Sequence, residues 1–481
     1  MHYDLIAVGA GSAGLSVGLA MKRLGFSVLL IDKTDHRIGG DCLNDGCVPS
    51  KALIHVSRQV QQTRLAGRFG LQTTGAVDLG AVMQYVRERQ AIIRAHENAR
   101  YLREREGVDV ELGTARFTGP QTLTVNDRTV SAKHIVLCTG SLPQTLQVEG
   151  VDRVTVHTHQ TIFELTELPK RLLIVGAGPI GLEMAQAFAR LGSAVTVVGR
   201  ENRILSKELP EVSALLQQRL TAEGITFRLT SEISRFTDAH TAEIRSENGP
   251  TETVAFDTLL VAIGRTFRYD DLNLPAAGIE LTEKGQLKLN DYLQTTNKHV
   301  FAAGDAAAGS PAGERYFSHA AELHASILVS NFITPGPFAK KLHYDHFSWV
   351  TFTDPEIATF GRLEDELQRR KQPYERIVYE FAHDDRAVIE EYDYARMYLF
   401  IEPAGLNPFS ARILGGTVIA PNAGELVQEL ILATQQQLTA GDFFNKIYPY
   451  PTASRVNKSV WVDRISENLP GVVKKAVKWL Y

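Results

Sequence analysis

One unit occurs twice in this chain of 481 residues. The stretch YDLIAVGAGSAGLSVGLAMKRLGFSVLLIDK (3–33) opens with an apolar strand ending at Val8. Gly9, Gly11 and Gly14 follow in the G-x-G-x-x-G pattern, then a helix-period segment, then a second strand that ends on Asp32, next to Lys33. Strand, glycine turn, helix, strand and terminal acid together form a dinucleotide fingerprint in its full context. Gly9 permits a tight turn, Gly11 lets the backbone approach a pyrophosphate, and Gly14 lets helix and strand pack closely. The start of the helix then faces the phosphate charge. The same order returns in RLLIVGAGPIGLEMAQAFARLGSAVTVVGR (171–200), with Gly176, Gly178 and Gly181. Such a chain folds as parallel α/β layers built around two dinucleotide sites.

The two copies differ at one position that carries chemistry. Asp32 lies 23 positions after Gly9, whereas 23 positions after Gly176 stands Gly199, followed by Arg200. An acid there bonds the ribose 2′-hydroxyl and repels a 2′-phosphate, whereas glycine then arginine makes room for that phosphate and supplies its countercharge. Arg203 adds a second cation nearby. The first site is therefore expected to hold a dinucleotide with a free ribose, and the second to prefer NADPH over NADH. Two such sites in one chain imply a flavin and a nicotinamide exchanging electrons. HIVLCTGS (134–141), with Thr139 and Gly140, and FDTLLVAIGR (256–265), with Gly264, read as strands running into turns at the cofactors. KHVFAAGDAAAG (298–309) places Asp305 just after a strand, where a carboxylate can bond a polar cofactor chain or cap a helix.

Charge and cysteine content narrow the classes. The net charge of −4 offers no basic stripe for nucleic acid. Three cysteines are too few for a disulfide scaffold and point to a reducing, cytoplasmic compartment. No basic segment precedes the first strand and no long apolar run is present, so neither a signal peptide nor a membrane span is expected. Two of the cysteines, Cys42 and Cys47, fall in GGDCLNDGCVPSK (39–51), ahead of a helix expected to include Pro49, Ser50 and Lys51. A cysteine at a helix N-terminus beside a lysine has a stabilised thiolate. The loop between the two is too short for a disulfide to matter much to stability, which leaves redox chemistry. A zinc site needs more Cys or His, so no metal is expected. Cys138 lies in an apolar strand and reads as a core residue.

GGDCLNDGCVPSK, both fingerprints, AIGR (262–265), AAGD (302–305) and SWVTFTDPEIATFG (348–361) together resemble the class I pyridine nucleotide–disulfide oxidoreductases, above all their mercuric-reductase-like and dihydrolipoamide-dehydrogenase-like members. The resemblance implies two Rossmann-like dinucleotide-binding domains and a C-terminal α+β dimerisation domain. The expected division is an FAD-binding domain at 1–150 and 271–343, an NAD(P)-binding domain at 151–270 and an interface domain at 344–481. It implies a homodimer with active sites shared across the interface, and FAD and NADPH (or NADH) as cofactors. By the same resemblance Cys47 is the thiol nearest the flavin and forms the charge-transfer complex, and Cys42 is the interchange thiol. Lys51 sits beside the flavin and pairs with Glu183, Asp305 binds the ribityl chain, and Ala115 lies near the adenosine half.

The chain departs from that pattern near its end. Disulfide-reducing members carry an acid/base His and a Glu in the segment that reads YPYPTASRVNK here, so Tyr450 stands in the His place and Arg455 in the Glu place. No cysteine follows Cys138, so the metal-delivering cysteine pair of mercuric reductases is missing. The expected acceptor is a disulfide or another thiol-reactive oxidant. A dihydrolipoamide dehydrogenase, a metal-ion reductase and a flavoprotein sensor without turnover are the alternatives. The charged stretch 79–106 reads as a solvated helical face of the FAD-binding domain. LPGVVKKAVKWLY (469–481) reads as a basic amphipathic helix docked on its own domain, with peripheral membrane contact as the rarer outcome.

Overall fold

A computed structural model describes residues 2–468 and 471, apart from 73, 248, 335, 404 and 406. The chain divides into two compact units, Met1–Ile204 with Leu220–His343, and Leu205–Arg219 with Tyr344–Tyr481. The amphipathic segment 472–480 lies outside the described residues.

The first unit begins with β1 (His2–Val8), α1 (Ser12–Arg23) and β2 (Val28–Asp32). β1 and β2 run parallel with Leu5 opposite Val28 and Val8 opposite Ile31. The apolar run VLLI is buried throughout, as a strand covered on both faces requires. Gly18 lets α1 approach this layer, since a Cβ there would stand 2.6 Å from Leu30 Cδ2.

The cysteine motif does not form one loop ahead of a helix. It forms two helices, α2 (Gly40–Asn44), which carries Cys42, and α3 (Cys47–Leu65), which starts on Cys47. Pro49 is compatible with this because the first N–H groups of a helix have no partner within it. The charged stretch that follows is also split. α4 (Leu79–Arg94) starts at Asp78, which accepts from Gly80 N, and α5 (Ala99–Glu104) starts at Asn98, which accepts from Tyr101 N. α4 is more than a solvated face: it buries Val82, Met83 and Val86.

β3 (Asp109–Leu112), β4 (Ala115–Gly119), β5 (Thr122–Val125) and β6 (Arg128–Leu137) complete the layer with β17 (Val300–Ala302). Among the described residues the order is β3-β2-β1-β6-β5-β4, with β17 beside β6. Cys138 falls one residue past β6, buried, rather than inside the strand. The chain leaves this layer through β7 (Leu142–Pro143).

The second fingerprint builds a parallel sheet from β8 (Val156–His157), β9 (Arg171–Val175), β10 (Ala194–Val198), β11 (Thr226–Arg228) and β15 (Thr258–Val261), in the order β11-β10-β9-β15-β8. α6 (Pro179–Leu191) follows β9, and α7 (Pro210–Ala222) precedes β11. A small antiparallel layer of β12 (Ser231–Asp238), β13 (Thr241–Ser246) and β14 (Glu252–Ala255) covers part of the apolar core through Phe236 and Phe256. The chain returns through β16 (Arg265–Thr266), which pairs antiparallel with β7. α8 (Ser318–Ile333) then lies against α1.

In the second unit β18 (Ser348–Thr351), β19 (Glu356–Gly361), β20 (Glu375–Glu380), β21 (Arg396–Ile401) and β22 (Ile413–Ala420) form an antiparallel sheet in the order β18-β19-β22-β21-β20. Its core includes Phe360 and Leu399 from the sheet, with Phe443 and Trp461 from helices that follow it. The stretch Leu205–Arg219 belongs to this unit. Its Glu208 is buried, accepting from Trp349 Nε1–H at 2.6 Å and from the Thr359 hydroxyl at 2.7 Å.

Candidate active site

Gly9 turns the chain with φ +105°, a conformation that favours glycine, and a Cβ on it would stand 2.2 Å from the Cys138 carbonyl oxygen. A Cβ on Gly14 would stand 1.8 Å from Gly9 O. The turn is closed by Asp32, whose carboxylate accepts from Ala10 N at 2.7 Å and from Lys33 N at 2.7 Å. α1 begins at Gly11 with no side-chain cap and no acid in its first turn, so its N–H groups are left for an anion. Gly40, with φ +61°, faces Gly11 across the gap. This cradle of backbone donors fits the pyrophosphate of FAD. Ala115 opens β4, buried, and Lys33 is exposed and paired with Asp271 at 3.0 Å.

The second cradle repeats the first. A Cβ on Gly176 would meet Ala262 O at 2.2 Å, and one on Gly181 would meet Gly176 O at 2.0 Å. A Cβ on Gly178, the first cap of α6, meets nothing within 4 Å, which leaves open space for a dinucleotide backbone. Gly199 follows β10, with its N–H on Arg228 O at 2.9 Å, and Arg200 beside it is exposed. Arg203 is half-buried three residues on. This set fits a nicotinamide dinucleotide.

Cys47 Sγ is exposed at the start of α3 and 3.4 Å from the Ser318 hydroxyl at the start of α8. A hydrogen bond from Cys42, then Ser318 and the Lys51 charge, outweigh burial and Glu183 and lower the Cys47 thiol to about 6. The same bond to Cys47, and burial, push Cys42 up, so the pair divides into one thiolate and one thiol. Lys51, one turn after Cys47, reaches α6, where its Nζ lies 2.7 Å from Glu183 Oε2. Glu183 is 5% exposed. α3 and α6 are tied again by Arg64 Nη1 on Arg190 O at 2.7 Å.

The loop is held on its other side by α4. Gln90 Nε2 donates to Leu43 O at 3.0 Å and Asn44 O at 2.8 Å, and Arg94 Nη2 donates to Asn44 Oδ1 at 2.6 Å. Arg37 bonds Asp45 at 2.6 Å and Asp41 at 3.1 Å. Asp41 Oδ2 also accepts from Arg265 Nη1 at 3.1 Å and faces His159 Nε2 at 3.3 Å. Burial pushes Asp41 up, but His159 and Arg265 outweigh it and bring it to about 2. Arg265 continues to the Ser141 hydroxyl at 2.9 Å, which itself donates to Asp305 Oδ2 at 2.6 Å. Asp305 is inside a short helical turn whose cap is Ala303, so it caps nothing and its carboxylate is turned to this network. Burial raises Asp305, against Arg265 and Ser141. Thr139, exposed, and Gly140, half-buried, follow Cys138, and Gly264 O accepts from Gln144 N at 3.0 Å where the chain re-enters.

Tyr450 belongs to the second unit and is 64% exposed. Its hydroxyl donates to Asp385 Oδ2 at 3.0 Å, and Arg455 lies over its ring at 5.2 Å. The Asp385 hydrogen bond raises the Tyr450 hydroxyl, so it stays protonated at neutral pH. Sequence reasoning missed Asp41, Ser141, His159, Ser318 and the Arg265 side chain, and it missed Glu97, whose burial-raised carboxyl adds to the rise of Cys42. These come from distant segments, and no local spacing joins them.

With this geometry in place, the comparisons are consistent. Residues 3–324 match the family model of the pyridine nucleotide-disulphide oxidoreductases, and residues 347–460 match the dimerisation domain of the same family. A mercuric reductase of Lysinibacillus sphaericus is 30% identical over 475 residues, 96% of this chain and 84% of that one. The mitochondrial dihydrolipoyl dehydrogenase of Dictyostelium discoideum is 29% identical, over 96% of this chain and 94% of that one. The solved structure of the Cu(II) complex of the HOCl-induced flavoprotein disulfide reductase RclA from Escherichia coli shares the fold, with a TM-score of 0.83 at 22% identity over 96% of this chain and 99% of that one. The chain belongs to the pyridine nucleotide–disulphide oxidoreductases. It is an oxidoreductase that uses FAD and NAD(P)H, and its dimerisation domain supports assembly as a homodimer. Among the described residues no helix is long and apolar enough to cross a membrane.

Proposed function

We propose an NADPH-preferring enzyme whose working protein group is the Cys42–Cys47 pair and whose acceptor is a disulfide or another thiol-reactive oxidant. The observation that carries this reading is Cys47 at the first position of α3, lowered to about 6, with Cys42 as its thiol partner and the Lys51–Glu183 pair one turn away. FAD, when bound, supplies two-electron transfer between the reduced nicotinamide and the cysteine pair. Gly9, Gly11, Gly14, Asp32 and Asp305 hold it, with Lys33, Ala115, Thr139, Gly140 and Gly264 along its edges. Gly176, Gly178 and Gly181 receive NADPH, and Arg200 with Arg203 takes its 2′-phosphate.

The thiol chemistry then follows from the two different sulfurs. Cys47 waits as thiolate, stabilised by Lys51 and the start of α3. Cys42 attacks one sulfur of the acceptor, a mixed disulfide forms and one thiolate leaves. Cys47 then attacks Cys42, the intramolecular disulfide closes and the second thiolate leaves. The proton of Cys42 and one from solvent convert the two released thiolates to thiols. Tyr450, held protonated, can donate to a leaving group but makes a poor base, unlike the His of disulfide-reducing members.

Relatives named mercuric reductase raise a metal ion as acceptor. Gly199 and Arg200 speak against the NAD preference of a dihydrolipoamide dehydrogenase. An anaerobic titration with NADPH and with NADH tests the reading. It predicts a long-wavelength thiolate–flavin absorbance after two electrons, reached faster with NADPH. Direct bleaching of the flavin without that absorbance would remove the cysteines from the electron path.

A further inference from the structure

The chain enters and leaves the nucleotide-binding sheet at neighbouring strands, and both connections end on a single oxygen atom. β8 and β15 are adjacent and parallel, with Leu260 opposite His157. His159 follows the carboxyl end of β8, and Arg265 follows the carboxyl end of β15. The next strand, β9, ends at Val175, and its fingerprint glycine touches the same connection: Ala262 N donates to Val175 O at 2.8 Å, and a Cβ on Gly176 would meet Ala262 O. Dinucleotides bind at the carboxyl ends of such parallel strands. From this edge His159 and Arg265 reach Asp41 Oδ2, at 3.3 and 3.1 Å. Asp41 is the residue before Cys42, in the same short helix. Arg265 also lies 3.5 Å from Asp305 Oδ2, in the other fingerprint layer.

We propose that Asp41 is a positioning residue that couples occupancy of the second dinucleotide site to the placement of the cysteine pair, with His159 and Arg265 as its two arms. This rests on the reading of Cys42–Cys47 as the redox pair. Asp41 precedes Cys42 in α2, so its action on the cysteines runs through the α2 backbone. A contiguous run of bonds from Gly176 through Ala262 and Arg265 to Asp41 is the physical path such coupling needs. Loss of one charge-assisted bond of this kind corresponds to about a tenfold effect.

The test uses the FAD-replete full chain, fully reduced with dithiothreitol without oxygen. Alkylation of Cys42 by iodoacetamide is followed by mass spectrometry with and without saturating NADP⁺. In the parent protein NADP⁺ is expected to change the Cys42 rate about threefold or more, and in Asp41→Asn that response is expected to vanish. In parallel, the long-wavelength absorbance is expected to form about tenfold more slowly with NADPH in Asp41→Asn, while its amplitude with dithiothreitol is unchanged. His159→Gln gives the same pattern in weaker form and serves if Asp41→Asn loses FAD. An Asp41→Asn protein that keeps both the NADP⁺ response and the NADPH rate overturns the proposal, as does a parent protein whose Cys42 rate ignores NADP⁺. If the parent shows no long-wavelength absorbance with either reductant, the redox-pair reading itself fails. The alkylation response still decides the coupling.

Discussion

Lys51 Nζ and Glu183 Oε2, 132 residues apart, meet at 2.7 Å and join the helix that carries Cys47 to the helix of the second fingerprint. Because Glu183 is buried and Lys51 is partly open, the pair fixes a positive charge one turn from the Cys47 sulfur. Replacing Lys51 by Met removes that charge. The Cys47 thiol is lowered in the native protein, so thiolate is present above about 6 and lost below it. Lys51→Met is expected to move this midpoint upward and to reduce the thiolate at pH 7. A pH titration of the long-wavelength absorbance in two-electron-reduced protein reads the midpoint directly.

Ser318 supplies a separable contribution, larger than that of the Lys51 charge. Its hydroxyl at 3.4 Å stabilises the Cys47 thiolate from the start of α8. Ser318→Ala should raise the same midpoint, with FAD retained in full. A midpoint identical to that of the parent would show that the hydroxyl bonds elsewhere in solution.

Arg200 should decide between nucleotides. Losing a charge-assisted contact to phosphate costs about 1.5–3 kcal/mol, or roughly ten- to a hundredfold in affinity. Arg200→Ala is expected to raise KM for NADPH by that order and to leave KM for NADH nearly unchanged. Steady-state kinetics with both nucleotides check it, and equal losses for both would place Arg200 away from the 2′-phosphate.

The glycines of the second cradle separate folding from binding. Gly176→Ala forces a Cβ to 2.2 Å from Ala262 O and should lower Tm by several degrees, corresponding to about 1–3 kcal/mol. Gly178→Ala meets no protein atom within 4 Å, so Tm should hold while NADPH affinity falls. Thermal melts and nucleotide titrations of the two variants give the comparison.

Tyr450→Phe tests the acid left in place of a histidine. The hydroxyl bonded to Asp385 is expected to matter only after the cysteines are reduced. Turnover with a disulfide acceptor should fall about a hundredfold, at the low end of what a general acid contributes, while NADPH-driven reduction of the protein stays unchanged. Rapid-mixing and steady-state measurements on one preparation distinguish the two steps.

The two fingerprints were legible in the sequence because they are local: glycines, apolar strand and helix lie within about thirty residues, and each has its own steric reason. The missing His and Glu at Tyr450 and Arg455 were legible only by resemblance. The start of α3 on Cys47 was read one step late, because glycines on both sides of the cysteines look like loop, whereas Gly39 and Gly46 flank a short helix. The break between α4 and α5 was masked by continuous charge, although Asn98 is an ordinary helix cap. Asp41, His159 and Arg265 could not be joined by any spacing rule, because 118 and 224 residues separate Asp41 from its two partners.

Glu208 gives the second unit a plug drawn from the middle of the chain. Trp349 and Thr359 each direct a donor at its carboxylate, and a gene fragment cut at 151 and 270 would carry that acceptor away. Two donors would then face a greasy hole, and the donated segment would leave its own apolar side wet. Nature or an engineer wishing to exchange the cofactor preference of this scaffold by recombination therefore faces an awkward graft. Point changes around Gly199 are the shorter route, because residues 205–219, which lie inside that fragment, belong to the second unit.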